Sequence, residues 1–355
     1  MKVLITSPSL NEKENVSGIS TMVSNIIAHG GGKFTHFAAG RKDDEKLDLN
    51  WVTSQFRLPL LFRQALARTK PDIVHINTAF EPRAIVRDLV LARSAGRHRI
   101  ILHVHGGRFV MQDLSNGIIA RLAKSLLRSV STVIALSEGE AEALMRLEPG
   151  LRVNVLPNAA DTKRFPTIER KWGDKNIVFL GRLHVAKGLD DIVEVCRMLV
   201  GQGFKFRFTC FGAGPDREKF LTSMKEVLGE RFHYGGVVSG DAKVRALNDA
   251  DILLLPSKFE GLPLAVLEAM AAGCVPVVSD RGSVASVVED GRNGFLIEPG
   301  DLMQILGKLK NLLSEGETFW EEYRRNAREI VRSRFDIAAY MEKLNDLYTE
   351  TARQK

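Results

Sequence analysis

The sequence of 355 residues contains no apolar run approaching the roughly 20 positions that a bilayer span requires, so no transmembrane segment is expected. It has little cysteine. Cys196, Cys210 and Cys274 are widely spaced and lack any CxxC or His-paired pattern, which excludes a disulfide framework or zinc site and makes them small core residues. Low-complexity tracts are missing, and a hydrophobic content of 45% with a charged content of 26% is that of an ordinary globular chain. The opening Met1-Lys-Val-Leu-Ile-Thr-Ser7 has too short an apolar run for a signal peptide and reads as a first strand, so cytoplasmic residence is the expectation. The length exceeds what one hydrophobic core usually serves, which implies two domains.

The net charge of +7 is unevenly spread. Residues 1–165 hold 23 Lys and Arg against 15 Asp and Glu, and the remainder holds 27 against 28. Within the first half, Arg57 to Arg128 carries 13 basic and 4 acidic residues, a bias toward an anionic partner or membrane surface. On an expected helix, Arg121, Lys124 and Arg128 share a face opposite Ile119, Leu122, Ala123 and Leu126. Such a face either solvates its charges or rests on anionic lipid beside a lipid-linked acceptor. No nucleic-acid partner is expected.

Short runs of Val, Ile and Leu alternate with segments of helical period, the pattern of a parallel sheet flanked by helices. Expected strands are Val3–Thr6, Asp72–Ile76, Ile100–Val104, Thr132–Ala135 and Val153–Leu156, then Ile177–Leu180, Lys205–Cys210, Ile252–Leu255 and Val275–Val278. Pro157-Asn-Ala-Ala-Asp-Thr-Lys-Arg-Phe-Pro166 and the polar run to Asn176 read as a linker, which sets domains of 1–165 and 166–335. A last helix over about 336–351 has Ile337, Tyr340, Met341, Leu344, Leu347 and Tyr348 along one apolar face. Doubly wound sheets bind ligands outside the carboxyl ends of their strands, so the cleft between the domains is the expected active site.

The segment Glu260-Gly-Leu-Pro-Leu-Ala-Val-Leu-Glu268 follows a strand, and Pro263 marks a helix start. Free N–H groups at that start, around Gly261, Leu262 and Leu264, suit phosphate oxygens. Glu268, about one turn in, can accept the ribose hydroxyls, which leaves Glu260 to face a sugar.

From Pro256 to Gly273 the string resembles the Glu-x7-Glu signature of retaining GT-B glycosyltransferases, especially glycosyltransferase family 4. Phe179-Leu-Gly-Arg-Leu-His-Val-Ala-Lys-Gly188 resembles the family's Gly-Arg-(x)4-Lys-Gly motif, which implies that Arg182 and Lys187 grip the donor diphosphate. Two fixed cations stabilise the charge that builds as a nucleoside diphosphate departs, without a metal. Ser17-Gly18 stands where the family has a Gly-Gly loop, with Gly18 matching. His103-Val-His105-Gly-Gly107 resembles its strand-end His-Gly, which implies His105 beside the transferred sugar and leaves His103, on the same strand face, to packing. Leu156-Pro-Asn158 with Asp161 and Phe165 is similar to its hinge, although Ala159 and Ala160 replace Gly-Val. Ser286 stands where many members have Glu.

Two patterns mislead. Asp249-Ala-Asp251 fits a metal-holding DxD, but its second aspartate directly precedes a buried strand, where the family has a structural Asp; no metal and no cofactor are expected. Gly212-Ala-Gly214 lacks the third glycine of a dinucleotide fingerprint.

The resemblance implies an α/β GT-B architecture: two Rossmann-like domains facing a cleft, an N-terminal acceptor domain and a C-terminal donor domain, with the last helix (residues 336–355) crossing back to the first. It implies transfer of a hexosyl group, with retention, from a UDP- or GDP-sugar to a glycan or lipid-linked acceptor in cell-surface polysaccharide or glycolipid synthesis, at the inner face of the plasma membrane. A glycoside hydrolase, a nucleotide-sugar epimerase on the same fold and a non-catalytic sugar-nucleotide binder remain as alternatives.

Overall fold

A computed structural model describes residues 1–12, 14–15, 17–40, 48–106, 117–168, 173 and 175–353, with the backbone alone at 49–52. Gly107 of the strand-end motif, positions 107–116 of the basic stretch, 169–172 and 174 of the polar run, and residues 354–355 lie outside the described residues. The chain divides into two compact units, Met1–Asn158 with Ile337–Lys355, and Ala159–Asp336.

The first unit contains β1 (Val3–Ser7), α1 (Gly18–His29), β2 (Phe34–Ala38), α2 (Leu49–Thr69), β3 (Ile73–Thr78), α3 (Pro82–Ser94), β4 (Arg99–Val104), α4 (Ile118–Arg128), β5 (Thr132–Ala135), α5 (Glu138–Leu147) and β6 (Val153–Val155). Its six-stranded sheet has the order β2-β1-β3-β4-β5-β6, with every pairing parallel. Strands buried on both faces favour apolar side chains, which is why β1, β3 and β4 are rich in Val, Ile and Leu, with His75, Asn77 and His103 among the buried polar exceptions. Leu4, Val74, Ile76 and Leu102 pack with Phe62, Ile85 and Leu126 from the surrounding helices and with Phe80 from the loop before α3.

The second unit contains β7 (Lys175–Leu180), α6 (Leu189–Gly201), β8 (Phe206–Phe211), α7 (Arg217–Leu228), β9 (Phe232–Tyr234), α8 (Gly240–Asn248), β10 (Ile252–Leu255), α9 (Leu264–Ala272), β11 (Val275–Ser279), β12 (Phe295–Ile297), α10 (Leu302–Ser314) and α11 (Glu317–Arg334). Its parallel sheet has the order β12-β11-β10-β7-β8-β9. The chain builds outward from β7 through β8 to β9, then crosses back to lay β10 on the other flank of β7, with Ile252 opposite Ile177. That reversal opens a crevice at the carboxyl ends of β7 and β10.

Every strand expected from the sequence is present to within two residues at each end. Three strands escape the sequence pattern, β2, β9 and β12, and all three are sheet edges. β2 and β9 mix polar and apolar residues at half-buried or exposed positions, and β12 is a largely buried apolar strand of only three residues, too short to stand out as a run. The units divide after Asn158, ahead of the expected Phe165, because the intervening residues are tied to the second unit. The Ala160 N–H donates to the Phe335 carbonyl at 2.9 Å, and Thr162 hydrogen-bonds Asp336. The polar run also ends earlier than expected, since Lys175 and Asn176 open β7. Lys175 lays its ammonium 4.9 Å above the Trp320 ring, and the Asn176 N–H donates to Asp251 Oδ2 at 2.8 Å.

The last helix, α12 (Ile337–Arg353), returns to the first unit, where it packs on α1, β3 and β4. Its buried face is Ile337, Tyr340, Met341, Leu344 and Tyr348, while Leu347 stays partly accessible. All three cysteines are buried. No helix among the described residues is long and apolar enough to cross a membrane. Leu344 is fully buried, so Leu344→Ala is expected to cost about 2–5 kcal/mol and to speed amide exchange in 337–353 and in β3. Hydrogen-exchange mass spectrometry checks this; unchanged protection in both segments would contradict the docking.

Candidate functional site

The loop leaving β7 turns once through Val185–Lys187, where His184 Nδ1 accepts the Ala186 N–H at 3.1 Å. Gly188 then takes a left-handed backbone, φ +75°, and a Cβ there would stand 2.2 Å from the Pro256 carbonyl oxygen. Only glycine lets this loop lie against the one that leaves β10. The Lys258 N–H donates to the Ala186 carbonyl at 2.8 Å and closes the contact. Held this way, Lys187 Nζ is 2.6 Å from Glu260 Oε1. Arg182, in the same loop, is exposed and has no ion-pair partner among the described residues.

Glu260 and Gly261 rest on a second close approach. Gly282, at φ +62°, brings its Cα so near that a Cβ would lie 2.2 Å from the Glu260 carbonyl oxygen, and the Ser283 N–H donates to the Gly261 carbonyl at 3.0 Å. Pro263 is extended and precedes the helix, so Leu264 rather than Pro263 is the first helical residue. The fixed φ of proline serves the entry to the helix as well as its first turn. In α9, Leu264, Val266, Leu267, Ala269, Met270, Ala271 and Ala272 are buried, and Glu268 is the one charged residue. Its Oε1 lies 2.6 Å from Lys243 Nζ, which reaches it from α8. Leu262 and Leu264 are buried around the helix start, where the first-turn amides lack intrahelical acceptors.

The second aspartate of the DxD-like pattern and the departure at Ser286 are both accounted for locally. Asp251 binds Arg324 through Oδ1 and the Asn176 N–H through Oδ2, so its carboxylate is occupied in joining β7, β10 and α11. Ser286 donates its hydroxyl to the Ser283 carbonyl at 2.6 Å, within its own turn. Among the described residues no three His, Cys, Asp or Glu side chains converge as metal ligands would.

In the first unit, Gly18 opens α1 behind an N-cap in which Ser17 Oγ accepts the Ser20 N–H at 3.2 Å and Ser20 Oγ donates to Asn15 Oδ1 at 2.8 Å. A Cβ on Gly18 would meet nothing within 4 Å, so the packing does not demand glycine there. His105 follows β4. Its Nε2 is 2.7 Å from Asn77 Oδ1, and Asn77 Nδ2 donates to the Thr6 carbonyl at 2.9 Å. Strand alternation stacks His103 beneath it, ring centroids 3.9 Å apart, and His75 beside His103 at 5.5 Å. His75 Nδ1 is hydrogen-bonded to Tyr348 Oη at 2.6 Å, whereas both ring nitrogens of His103 are buried without a partner. Desolvation holds all three imidazoles neutral: His75 and His105 fall to about 3, and His103 well below its ordinary value.

Arg182, Lys187, Glu260, Gly261, Leu262, Leu264 and Glu268 thus all follow β7 or β10 in the second unit, and Gly18 and His105 follow β1 and β4 in the first. Asn77 and Lys243 were not anticipated. Asn77 has a weak sequence signal, an amide side chain in a strand, Ile73–Thr78, that is buried at every position. Lys243 has none, since a lysine on a polar helix looks like a solvated charge.

Two family models match in tandem, the glycosyl transferase 4-like domain over residues 26–159 and glycosyl transferases group 1 over 161–334. The chain belongs to the glycosyl transferases group 1 family. It is 31% identical over 179 residues to a putative colanic acid biosynthesis glycosyltransferase, WcaL, of Salmonella typhimurium, an alignment of 48% of this chain and 44% of that protein. The chain spans less than two thirds of the length of the first curated relatives it matches. Sucrose-phosphate synthase from Thermosynechococcus elongatus superposes with a TM-score of 0.81 at 16% identity over 98% of both chains. Anabaena HepE in complex with UDP and glucose gives 0.76 at 18% identity, covering 99% of this chain and 100% of that one. The architecture of this family member is therefore the two-domain α/β plan of GT-B glycosyltransferases, as expected from its sequence.

The stacked histidines make acid stability testable. Unfolded, each titrates near 6.5; folded, His75 and His105 do so only near 3. As pH falls from 6.5 toward 3 the unfolded chain binds protons that the folded unit refuses, so stability falls, by up to about 1.4 kcal/mol per pH unit per histidine. The urea midpoint is expected to drop between pH 7 and pH 5, and less steeply in His103→Leu. Equal slopes in the two proteins would contradict the buried neutral state of His103.

Proposed function

We propose that the protein transfers a hexosyl group, with retention of anomeric configuration, from a nucleoside-diphosphate sugar to a hydroxyl of a glycan or lipid-linked acceptor. The observation that carries this reading is the Lys187–Glu260 pair, set with the exposed Arg182 at the strand-order reversal of the second sheet. An ammonium and a carboxylate 2.6 Å apart offer donors and acceptors side by side. Lys187 keeps N–H groups for a diphosphate while Glu260 turns its second oxygen to hexose hydroxyls. Arg182 adds a guanidinium fork suited to phosphate oxygens.

In the proposed reaction the bond between the anomeric carbon and the diphosphate oxygen breaks, and the electron pair leaves with the nucleoside diphosphate. The acceptor oxygen bonds the same carbon on the same face and passes its proton to the departing diphosphate. Arg182, Lys187 and the first amides of α9 stabilise the charge that develops on the leaving group, with no metal invoked. Glu268 accepts from the ribose. Gly18 and His105 are assigned to the donor diphosphate and the transferred sugar on the strength of the motif resemblance. HepE, a neighbour in fold, is known with UDP and glucose, which supports a nucleotide-sugar donor, and WcaL supports polysaccharide synthesis as the setting.

For the acceptor we favour a lipid-linked glycan at an anionic membrane surface. Helix α2 carries Phe56, Leu60 and Leu61, exposed by 81%, 59% and 51%, together with exposed Arg57, Arg63 and Arg68. Apolar side chains flanked by arginines suit the boundary between headgroups and acyl chains. On α4, Arg121 is exposed, but Arg128 is paired with Glu148 at 2.9 Å and Lys124 is half-buried, which makes α4 the weaker contributor.

Arg182→Ala and Lys187→Ala are each expected to lower transfer about 10²–10³-fold with the fold intact, as loss of preorganised charge does. Transfer from a panel of UDP-, GDP- and dTDP-sugars to a mixed acceptor pool, read beside donor hydrolysis and donor isomerisation, is the measurement. Near-normal turnover in both variants, or isomerised donor without acceptor, would overturn the reading.

A further inference from the structure

The two glutamates of the Glu-x7-Glu segment are each held by a lysine from a different element. Lys187 takes Glu260 and Lys243 takes Glu268, both at 2.6 Å. The second pair is the more enclosed, with side chains 13% and 9% exposed against 27% and 10%. A buried ion pair contributes little net stability, because desolvation of both charges offsets their attraction, and apolar residues of similar volume would hold the helices as well. Helix α9 is apolar at every other buried position, so nothing in its packing calls for a carboxylate at Glu268 or for a cation from α8. Cations nearby on α11 are otherwise engaged: Arg324 with Asp251, and Arg328 with the Ala272 carbonyl at 3.3 Å.

We infer that Lys243 is a donor-binding residue that works with Glu268 on the nucleoside end of the donor, as Lys187 works with Glu260 on the diphosphate-sugar end. The inference rests on the proposed donor site and deepens it. An ammonium has three N–H groups, and the one directed at Glu268 Oε1 fixes that carboxylate so that its other oxygen meets the ribose diol. The remaining N–H groups are donors for the ribose or base oxygens. Ordering is already in place before ligand arrives, which lowers the cost of binding.

The test is calorimetry with UDP, GDP and UMP, and steady-state kinetics with the matching sugar donor, on Lys243→Met, Lys243→Arg and Glu268→Gln. Losing a charged hydrogen-bond partner predicts that K243M weakens UDP or GDP, and UMP, by the same factor of about ten or more, and raises donor KM with kcat within a few fold. K243R, which keeps the charge and the donors, is expected to recover most of the affinity. The double variant K243M/E268Q should lose little beyond the worse single variant, since the two act as a unit. A pair that only joins α8 to α9 would lower the melting temperature and leave nucleotide affinities, donor KM and kcat unchanged, which would overturn the inference. Unchanged nucleotide affinity in K243M with a weakened E268Q overturns the role of Lys243 and spares the proposed function. Unchanged affinity in E268Q overturns the ribose assignment itself. Should K243M fail to fold, labelling of the wild-type protein with an amine-reactive reagent decides: saturating UDP is expected to slow modification of Lys243, and an unaltered rate overturns the inference.

Discussion

Strand β10 returns to the free flank of β7 instead of continuing beyond β9, and most of what the second unit presents follows from that single crossing. Two loops that are far apart in the chain leave the sheet side by side at its carboxyl end. Their closeness is a backbone matter before it is a side-chain one. Gly188 meets the Pro256 carbonyl where any Cβ would collide, and Gly282 does the same against Glu260 and Gly261. Because the main chains are fixed to within van der Waals contact, Lys187 and Glu260 are given a separation rather than finding one. A charged pair held by rigid backbone needs little reorganisation when a charged ligand replaces water around it.

The first unit follows the same plan with a different interior. Its sheet reverses between β1 and β3, and next to that point the inward face of β3 and β4 is lined by imidazoles in place of aliphatic side chains. His75, His103 and His105 form a continuous stack that begins at Tyr348 of the last helix and ends at Asn77. Neutral imidazole tolerates this burial; imidazolium does not. The stack therefore couples the seating of α12 to the orientation of His105 through ring contacts. It explains why a helix that follows the second unit in sequence is packed into the first with a tyrosine where leucine would fill the space.

The interior strands were legible because burial on both faces writes itself as Val, Ile and Leu, and the signature segment was legible because Pro256 to Gly273 combines glycine, proline and paired acids at fixed offsets. What stayed hidden was of two kinds. Edge strands such as Phe232–Tyr234 have one flank open to solvent, so their composition is under weak constraint. Partnerships such as Lys243 with Glu268 depend on which helices become neighbours, and no local pattern encodes that. Asn77 lies between the two cases: its polarity within β3 is visible, but its purpose appears only when register sets it opposite His103 and within reach of His105.

Charge shows how the two kinds of constraint combine. The acid and base content of the second unit nearly balances, and among its less exposed cations four have distinct partners. Arg324 is spent on Asp251 and Lys175 on the Trp320 ring, which fasten α11 to the sheet, while Lys187 and Lys243 are turned to the two glutamates at the site. The first group joins elements whose packing already requires contact. The second group spans loops and helices that hydrophobic burial alone would hold as well without it. Where a desolvated ion pair adds little to stability, its retention is best explained by what its remaining donors and acceptors can bind. By that reasoning the two Lys–Glu pairs, and not the helix start alone, form the polar face of the donor site proposed above.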